Sequence, residues 1–370
     1  MKYDYDVVVV GGGVAGVSSA LSAAREGLKV CLIEKGSMLG GLATSGLINW
    51  FEPLCDGKGN QLIFSQAEEF FKLATKYGYS TFDENFKENG KRKSSWFNHN
   101  LFALSLNKLL IDNGVKIEYE TLANWALGVF NTQDVIYTHN VEGMHEISAK
   151  VFIDASGNAL LFRKEPLKVV SGVNYLTYAT TSFKDGIDKP KMQYSGASLD
   201  GTNHPEGMRL LNGLKQNDVN DLLIYGQNLA LKEYEEGKLK DISNLPSMPQ
   251  FRKIARICGD FVLKGTDKCK FNKDSIGCIG VFNKPGEWYE IPLQSLYNHK
   301  VKNVFACGRI ISCDDEAWEA TRVIPVAILT GEVCGIMASC YINKTFNIET
   351  IQNKLKERKI LLHYEDLNIK

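Results

Sequence analysis

Val7-Val8-Val9-Val10-Gly11-Gly12-Gly13-Val14-Ala15-Gly16, with Glu34 downstream, is the stretch that decides the fold. An unbroken β-branched run suits a parallel strand covered on both faces. A helix follows the glycines, and Gly11, Gly13 and Gly16 take the three places of the dinucleotide fingerprint. Gly11 serves the tight turn, Gly13 lets backbone approach a pyrophosphate, and Gly16 lets helix pack closely on strand. Diphosphate charge then meets free N–H groups at the helix start, around Val14 and Ala15. The helix should run from Ala15 to Glu26 and stop at Gly27. Leu28 to Glu34 reads as the second strand, ending in a carboxylate where an acidic residue about 20 positions on hydrogen-bonds a ribose diol. This favours adenosine with a free 2′-hydroxyl, and the motif alone leaves FAD and NAD both open.

A second stretch calls for the same ligand. Asn303-Val304-Phe305-Ala306-Cys307-Gly308-Arg309 is a strand and turn that runs on to a helix from about Thr321-Arg322-Val323. The apolar segment from Val323 to Ile342 has the length of a membrane span, but Pro325, Gly331, Glu332 and Gly335 argue for a buried core helix.

Composition narrows the class. The 370 residues exceed one simple core and suggest two domains. Lys+Arg and Asp+Glu number 43 each, which leaves no basic field for nucleic acid, so a small-molecule substrate is the expected partner. Met1 to Asp6 leads straight into the valine strand rather than a longer apolar core, so the expected location is cytoplasmic. Nine cysteines are an odd number and include no C-x-x-C pair; they read as reduced and mostly buried, Cys307 and Cys313 among them. No metal site is read. Electron donor or acceptor and oligomeric state stay open.

Along the chain, Gly36 to Leu47 is too rich in glycine and small residues for a helix interior and looks like backbone laid against a ligand. Apolar spacing predicts helices over Ser65 to Tyr77 and Asn98 to Asn113, and a strand over Val115 to Tyr119. Trp125 to Phe130 with Val135 to Thr138 suggests an antiparallel hairpin crossing over the main sheet. Ala149 to Asn158 returns as a strand ending in a small polar turn, where ligands meet the carboxyl ends of parallel strands. Between about Arg163 and Pro292 the texture changes to short strands with helices near Asn217 to Glu236 and Gln250 to Leu263, which reads as an inserted substrate domain. Helical spacing there would put Arg252 and Arg256 on one face, either gripping an anion or forming a solvated basic face. The tail from Ile348 to Lys359 reads as a charged amphipathic helix.

These segments together resemble the bacterial FAD-dependent oxidoreductase family, of the glutathione-reductase-type flavoproteins. The resemblance rests on G-G-G-V-A-G with Glu34-Lys35, Gly40-Gly41-Leu42-Ala43-Thr44-Ser45-Gly46-Leu47, Phe152 to Asn158, Phe251-Arg252 with Arg256 to Gly259, and Gly308-Arg309-Ile310-Ile311-Ser312 through Glu316-Ala317 to Thr321-Arg322-Val323. It implies an α/β fold: a discontinuous Rossmann-like FAD domain (1–162 and 293–370) with a β-hairpin crossover, and an inserted α+β substrate domain (163–292). The activity implied is hydride transfer between a small organic substrate and flavin N5. By resemblance the cofactor would meet Lys35, the backbone from Gly40 to Thr44, Ala123, Ala155, Ser156, Gly157, Gly308 and Arg309. Thr321, Arg322 and Val323 would face the isoalloxazine, where helix-start N–H groups and the Arg322 charge stabilise its reduced, anionic form. Arg322 could instead be an ion-pair partner of Glu319 or Glu316.

The chain also departs from the family. Asp315 and Trp318 stand where relatives commonly carry histidines. Asp315 is one candidate for the missing acid–base role, with Arg322 and Arg256 as further catalytic candidates; a solvated acidic loop is the alternative. An NAD-consuming enzyme of related fold and a non-catalytic flavin sensor are the competing functions.

Overall fold

Alternation along the valine run sends Val7 and Val9 into one hydrophobic core and Val8 and Val10 into another. Each side chain is buried, an interaction of roughly 1.5–3 kcal/mol apiece. That is why the run carries no polar residue.

The computed structural model describes residues 2–124, 134–163, 167–184, 187–198 and 200–368. In chain order the strands are β1 (Tyr5–Val10), β2 (Val30–Ile33), β3 (Trp50–Phe51), β4 (Ser95–Trp96), β5 (Lys116–Glu118), β6 (Leu122–Asn124), β7 (Val135–Asn140), β8 (Gly143–Asp154), β9 (Val169–Ser171), β10 (Thr177–Lys184), β11 (Ile187–Gly196), β12 (Ile242–Asn244), β13 (Ala255–Ile257), β14 (Ser275–Gly280), β15 (Trp288–Pro292), β16 (Tyr297–Asn298) and β17 (Val301–Ala306). The helices are α1 (Val14–Arg25), α2 (Gln66–Lys76), α3 (His99–Asp112), α4 (Gln216–Glu235), α5 (Asp315–Thr321), α6 (Ile324–Ile342) and α7 (Ile348–Glu357).

The main sheet has the order β16-β17-β8-β1-β2-β5, parallel from β17 to β5, with β16 antiparallel at the edge. β8 does two jobs. Its first half pairs antiparallel with β7 in the crossover layer, and its second half pairs parallel with β1, from Ala149 to Asp154. The partner of the crossover is β6; the expected strand over Trp125 to Phe130 lies outside the described residues. Val10, Asp154 and Ala306 share one register across β1, β8 and β17, so three strand ends open side by side onto the same edge.

α6 is the helix whose length and apolarity suit a membrane span, and nearly all of it is buried inside the protein. Its glycines explain how. A Cβ on Gly335 would meet Ser22 Cβ at 2.5 Å, and one on Gly331 would strike the Ala15 carbonyl oxygen, so only glycine lets α6 lie flush on α1. Ser18 and Ser22 of α1 donate to the Ile328 and Glu332 carbonyls of α6, both at 2.7 Å. The buried Glu332 carboxylate accepts from Ser65 Oγ at 2.7 Å and from Arg358 Nη1 at 3.3 Å, which removes the cost of an unpaired charge.

The intervening region forms a second sheet, β11-β10-β12, with α4 against it. The helix anticipated over Gln250 to Leu263 is absent: Ala255–Ile257 is instead β13, paired antiparallel with Val169–Ser171. The apolar positions Phe251, Ile254, Ala255 and Ile257 mimic helical spacing, but all four are buried beside that partner strand, a long-range pairing that outweighs local pattern. The β14–β15 hairpin packs into the same core as α1 and α6.

Candidate functional site

The first half of the site is made of backbone. Gly11 has φ +105°, and a Cβ on it would sit 2.5 Å from the Ala155 carbonyl oxygen, so the turn after β1 is pressed against the end of β8. A Cβ on Gly16 would strike the Gly11 carbonyl oxygen, which fixes the approach of helix and strand. Gly13 differs: a Cβ there would meet nothing within 4 Å. It is the N-cap of α1, no side chain caps that helix, and its first turn has no acidic residue. The free N–H groups of Val14, Ala15 and Gly16 therefore begin at an open space, an arrangement suited to an anion.

The surrounding loops hold that space in shape. Gly12 N–H donates to Glu34 Oε2 at 2.6 Å and Gly36 N–H donates to Oε1 at 2.8 Å. Each carboxylate oxygen keeps a further acceptor site for a ribose hydroxyl. Gly40 N–H donates to the Gly12 carbonyl at 2.8 Å, and a Cβ on Gly41 would come within 3.0 Å of Gly13 Cα, so the segment from Gly40 runs against the glycine loop. Leu42 and Ala43 continue it as a 3-10 turn, and Thr44 Oγ1 donates to the Leu39 carbonyl at 2.6 Å. Lys35 is exposed beside Glu34. Ala123 lies in β6, two residues beyond Thr121, whose N–H donates to the Glu34 carbonyl.

At the end of β8 the buried Asp154 carboxylate accepts from the Ser156 hydroxyl at 2.6 Å and from Leu161 N–H at 2.7 Å, organising the Ala155-Ser156-Gly157 turn; burial pushes its carboxyl up from the ordinary value. Arg309 ties this turn to the inserted region, donating to the carbonyls of Gly157 at 2.8 Å and Phe251 at 2.6 Å. Burial, and then Arg322, pull its guanidinium down to about 10. Gly308, with φ +75°, packs on Ala15, and its N–H donates to Thr330 Oγ1 at 2.9 Å.

The second half of the site is made of charged side chains around the start of α6. The helix begins one turn later than expected, with Val323 as its N-cap and Pro325 in its first turn; Thr321 is the buried last residue of α5. Arg322 pairs with Glu319, which also holds Lys253, so the ion-pair reading of Arg322 describes its contacts. Asp315 is 83% exposed and pairs with Arg256 at 3.3 Å. Trp318 is fully buried, donates to the Arg309 carbonyl at 2.6 Å, and carries Arg256 over its ring at 5.3 Å.

Three residues went unnoticed or were misplaced in the sequence. Glu52 Oε2 accepts from Ile324 N–H, the first free donor of α6, at 3.3 Å. Burial pushes its carboxyl up to about 7, against the pull of the Ile324 N–H, Arg322 and Arg252. Tyr194 lies under the Arg252 guanidinium, 5.9 Å from ring centroid to Arg252 Cζ. Only Arg252 carried a signal, and its predicted neighbour on a helix face, Arg256, sits instead on β13.

Known proteins are similar to this chain in the same parts. The family model described as FAD dependent oxidoreductase matches residues 6–174 and 264–360, most of the chain. A dihydrolipoyl dehydrogenase of Chlorobaculum parvum is 52% identical over 46 residues, 12% of this chain and 9% of its own length. A soluble pyridine nucleotide transhydrogenase of Chromohalobacter salexigens is 26% identical over 164 residues, 42% of this chain and 31% of its own. The chain thus spans less than a third of either relative's length. The solved p-nitrophenol 4-monooxygenase PnpA of Pseudomonas putida superposes with a TM-score of 0.51 at 13% identity, over 97% of this chain and 85% of that one, which is a likeness of fold.

Proposed function

The chain belongs to the FAD dependent oxidoreductase family, so FAD is its cofactor, and from that premise we propose that it catalyses hydride transfer between a small organic substrate and flavin N5. The observation that carries this reading is the pair of helix starts, α1 at Gly13 and α6 at Val323, which follow the parallel strands β1 and β17 on either side of β8, the two helices packed flush on each other. Bound FAD supplies the hydride chemistry.

The protein's own groups do the rest. The uncapped N–H groups of α1 and the bare Cα of Gly13 fit a diphosphate, and the Glu34 carboxylate, fixed by two backbone donors, fits the adenosine ribose. The other end of the cofactor would lie towards the start of α6, where the helix dipole and Arg322 favour negative charge. Residues 163–292 are read as the substrate domain, with β10 to β12 and Arg252 closing over that end, while the β14–β15 hairpin within this segment buttresses the cofactor side. The family membership also decides between the two nucleotides that the N-terminal motif leaves open.

Anaerobic addition of small organic reductants to the purified protein tests the reading. Bleaching of the flavin by at least one compound class at a rate matching turnover is the expected result. A flavin that no small organic compound reduces, and that gives its electrons to none when reduced chemically, contradicts it.

A further inference from the structure

Four stretches of chain meet at the start of α6. Glu52 follows β3, Tyr194 lies on β11, Arg252 precedes β13, and Arg322 follows α5. Arg322 and Arg252 both act on the Glu52 carboxyl, Arg322 the more strongly, and Tyr194 feels both Arg252 and Glu52. The nearby cations differ in what they already hold. Arg322 and Lys253 share Glu319, Arg309 is bound to two carbonyls, and Arg256 has Asp315. Arg252 has a tyrosine ring beneath it and forms no ion pair among the described residues. Four cations (Arg252, Lys253, Arg309, Arg322) therefore face two carboxylates (Glu52, Glu319); of the two that hold no carboxylate, Arg309 is spent on backbone carbonyls and Arg252 lies over the Tyr194 ring.

We propose that Arg252, seated on Tyr194, binds the carboxylate of a small organic acid, and that Glu52 takes up a proton from solvent as that anion binds. The coupling is electrostatic. A second negative charge beside Glu52 disfavours its ionised form, and the neutral carboxyl can donate a hydrogen bond where the carboxylate can only accept. A planar guanidinium offers a carboxylate two parallel donors, and Tyr194, which bonds the Arg252 side chain, holds it in place while other donors stay available. Among these cations Arg252 alone has no carboxylate or carbonyl on its guanidinium among the described residues, since Arg322, Lys253 and Arg309 are committed elsewhere. The inference rests on the proposed flavin site only in placing the bound acid beside the start of α6; the anion site consists of protein groups.

Calorimetric titration with benzoate, in two buffers of different ionisation enthalpy, reads the proton count directly. Because burial holds the Glu52 carboxyl near about 7, uptake should be a fraction of a proton at pH 7 and approach one at pH 8, with affinity falling up to about tenfold per pH unit above that. Glu52→Gln should bind without proton uptake and with affinity flat across that range. Arg252→Ala should weaken binding at least about tenfold, as expected for losing a charged hydrogen-bond pair, and Tyr194→Leu should weaken it less, with FAD content and circular dichroism unchanged in both. Benzoate binding that is immeasurably weak, insensitive to Arg252→Ala, or without proton uptake in the unaltered protein overturns the proposal. A colourless protein that still binds benzoate with proton uptake would keep this inference and sink the cofactor reading; a yellow protein lacking proton-linked binding would do the reverse.

Discussion

The two helix starts proposed to face the cofactor are built by opposite means. At α1 the donors are bare backbone, the space above Gly13 is open, and no charged side chain caps the helix. At α6 the first N–H already has Glu52 as a partner, and Arg322, Arg252, Glu319 and Lys253 crowd the surroundings. A phosphate end, whose charge is fixed, needs only shape and free N–H groups. The reacting end needs groups whose charge can change, and those must be side chains.

Breaking the backbone half should have the largest effects. Gly16→Ala puts a methyl into the Gly11 carbonyl and should destabilise the fold by about 1–3 kcal/mol or more, seen as a lower Tm. Gly13→Val should fold with an unchanged Tm when FAD is absent, because its new Cβ meets nothing within 4 Å, yet bind no FAD. Tight FAD binding by Gly13→Val would show that the two glycines do not have the separate roles assigned to them. Glu34→Ala should cost roughly 1.5–3 kcal/mol of FAD affinity, about ten- to a hundredfold, measured by fluorescence titration of the apoprotein.

The side-chain half should answer to pH and charge. The Glu52 carboxyl is raised in the fold, so its contribution favours the folded state at low pH and is lost as pH climbs from the ordinary carboxylate range through about 7. Glu52→Gln should therefore match the unaltered protein near pH 4 and exceed it at pH 8 by on the order of 1–3 kcal/mol, read by denaturant titration at the two pH values. Equal stabilities at pH 8 would mean that Glu52 ionises freely. Smallest is Arg322→Ala. Removing positive charge lowers the midpoint potential of the flavin, but Glu319 already balances much of that charge, so the shift should stay within about 30 mV, which corresponds to about 1.4 kcal/mol for a two-electron couple.

The same contrast explains what the sequence disclosed. Gly11, Gly13, Gly16 and Glu34 are legible because strand, turn, helix and second strand are consecutive, and α1 appears within a residue of its expected limits. Glu52 was silent: Trp50-Phe51-Glu52-Pro53-Leu54 carries no motif, and only folding brings it to Ile324, far along the chain. Arg252 and Arg256 looked like helix neighbours because pairing with Val169–Ser171 cannot be seen in a local window. Arg322 was legible both as a residue of the site and as a partner of Glu319 or Glu316; the structure gives it Glu319, while Glu316 pairs with Lys268, a choice that depends on how α5 ends.

The central claim is that both helix starts serve one flavin, and the most direct measurement is the visible spectrum of the purified protein together with the mass of the nucleotide it releases on denaturation. Flavin absorption with close to one FAD per chain, lost in Gly13→Val and kept in Glu52→Gln, is the predicted result. A colourless protein that takes up no added FAD, or one that releases NAD in its place, would contradict it.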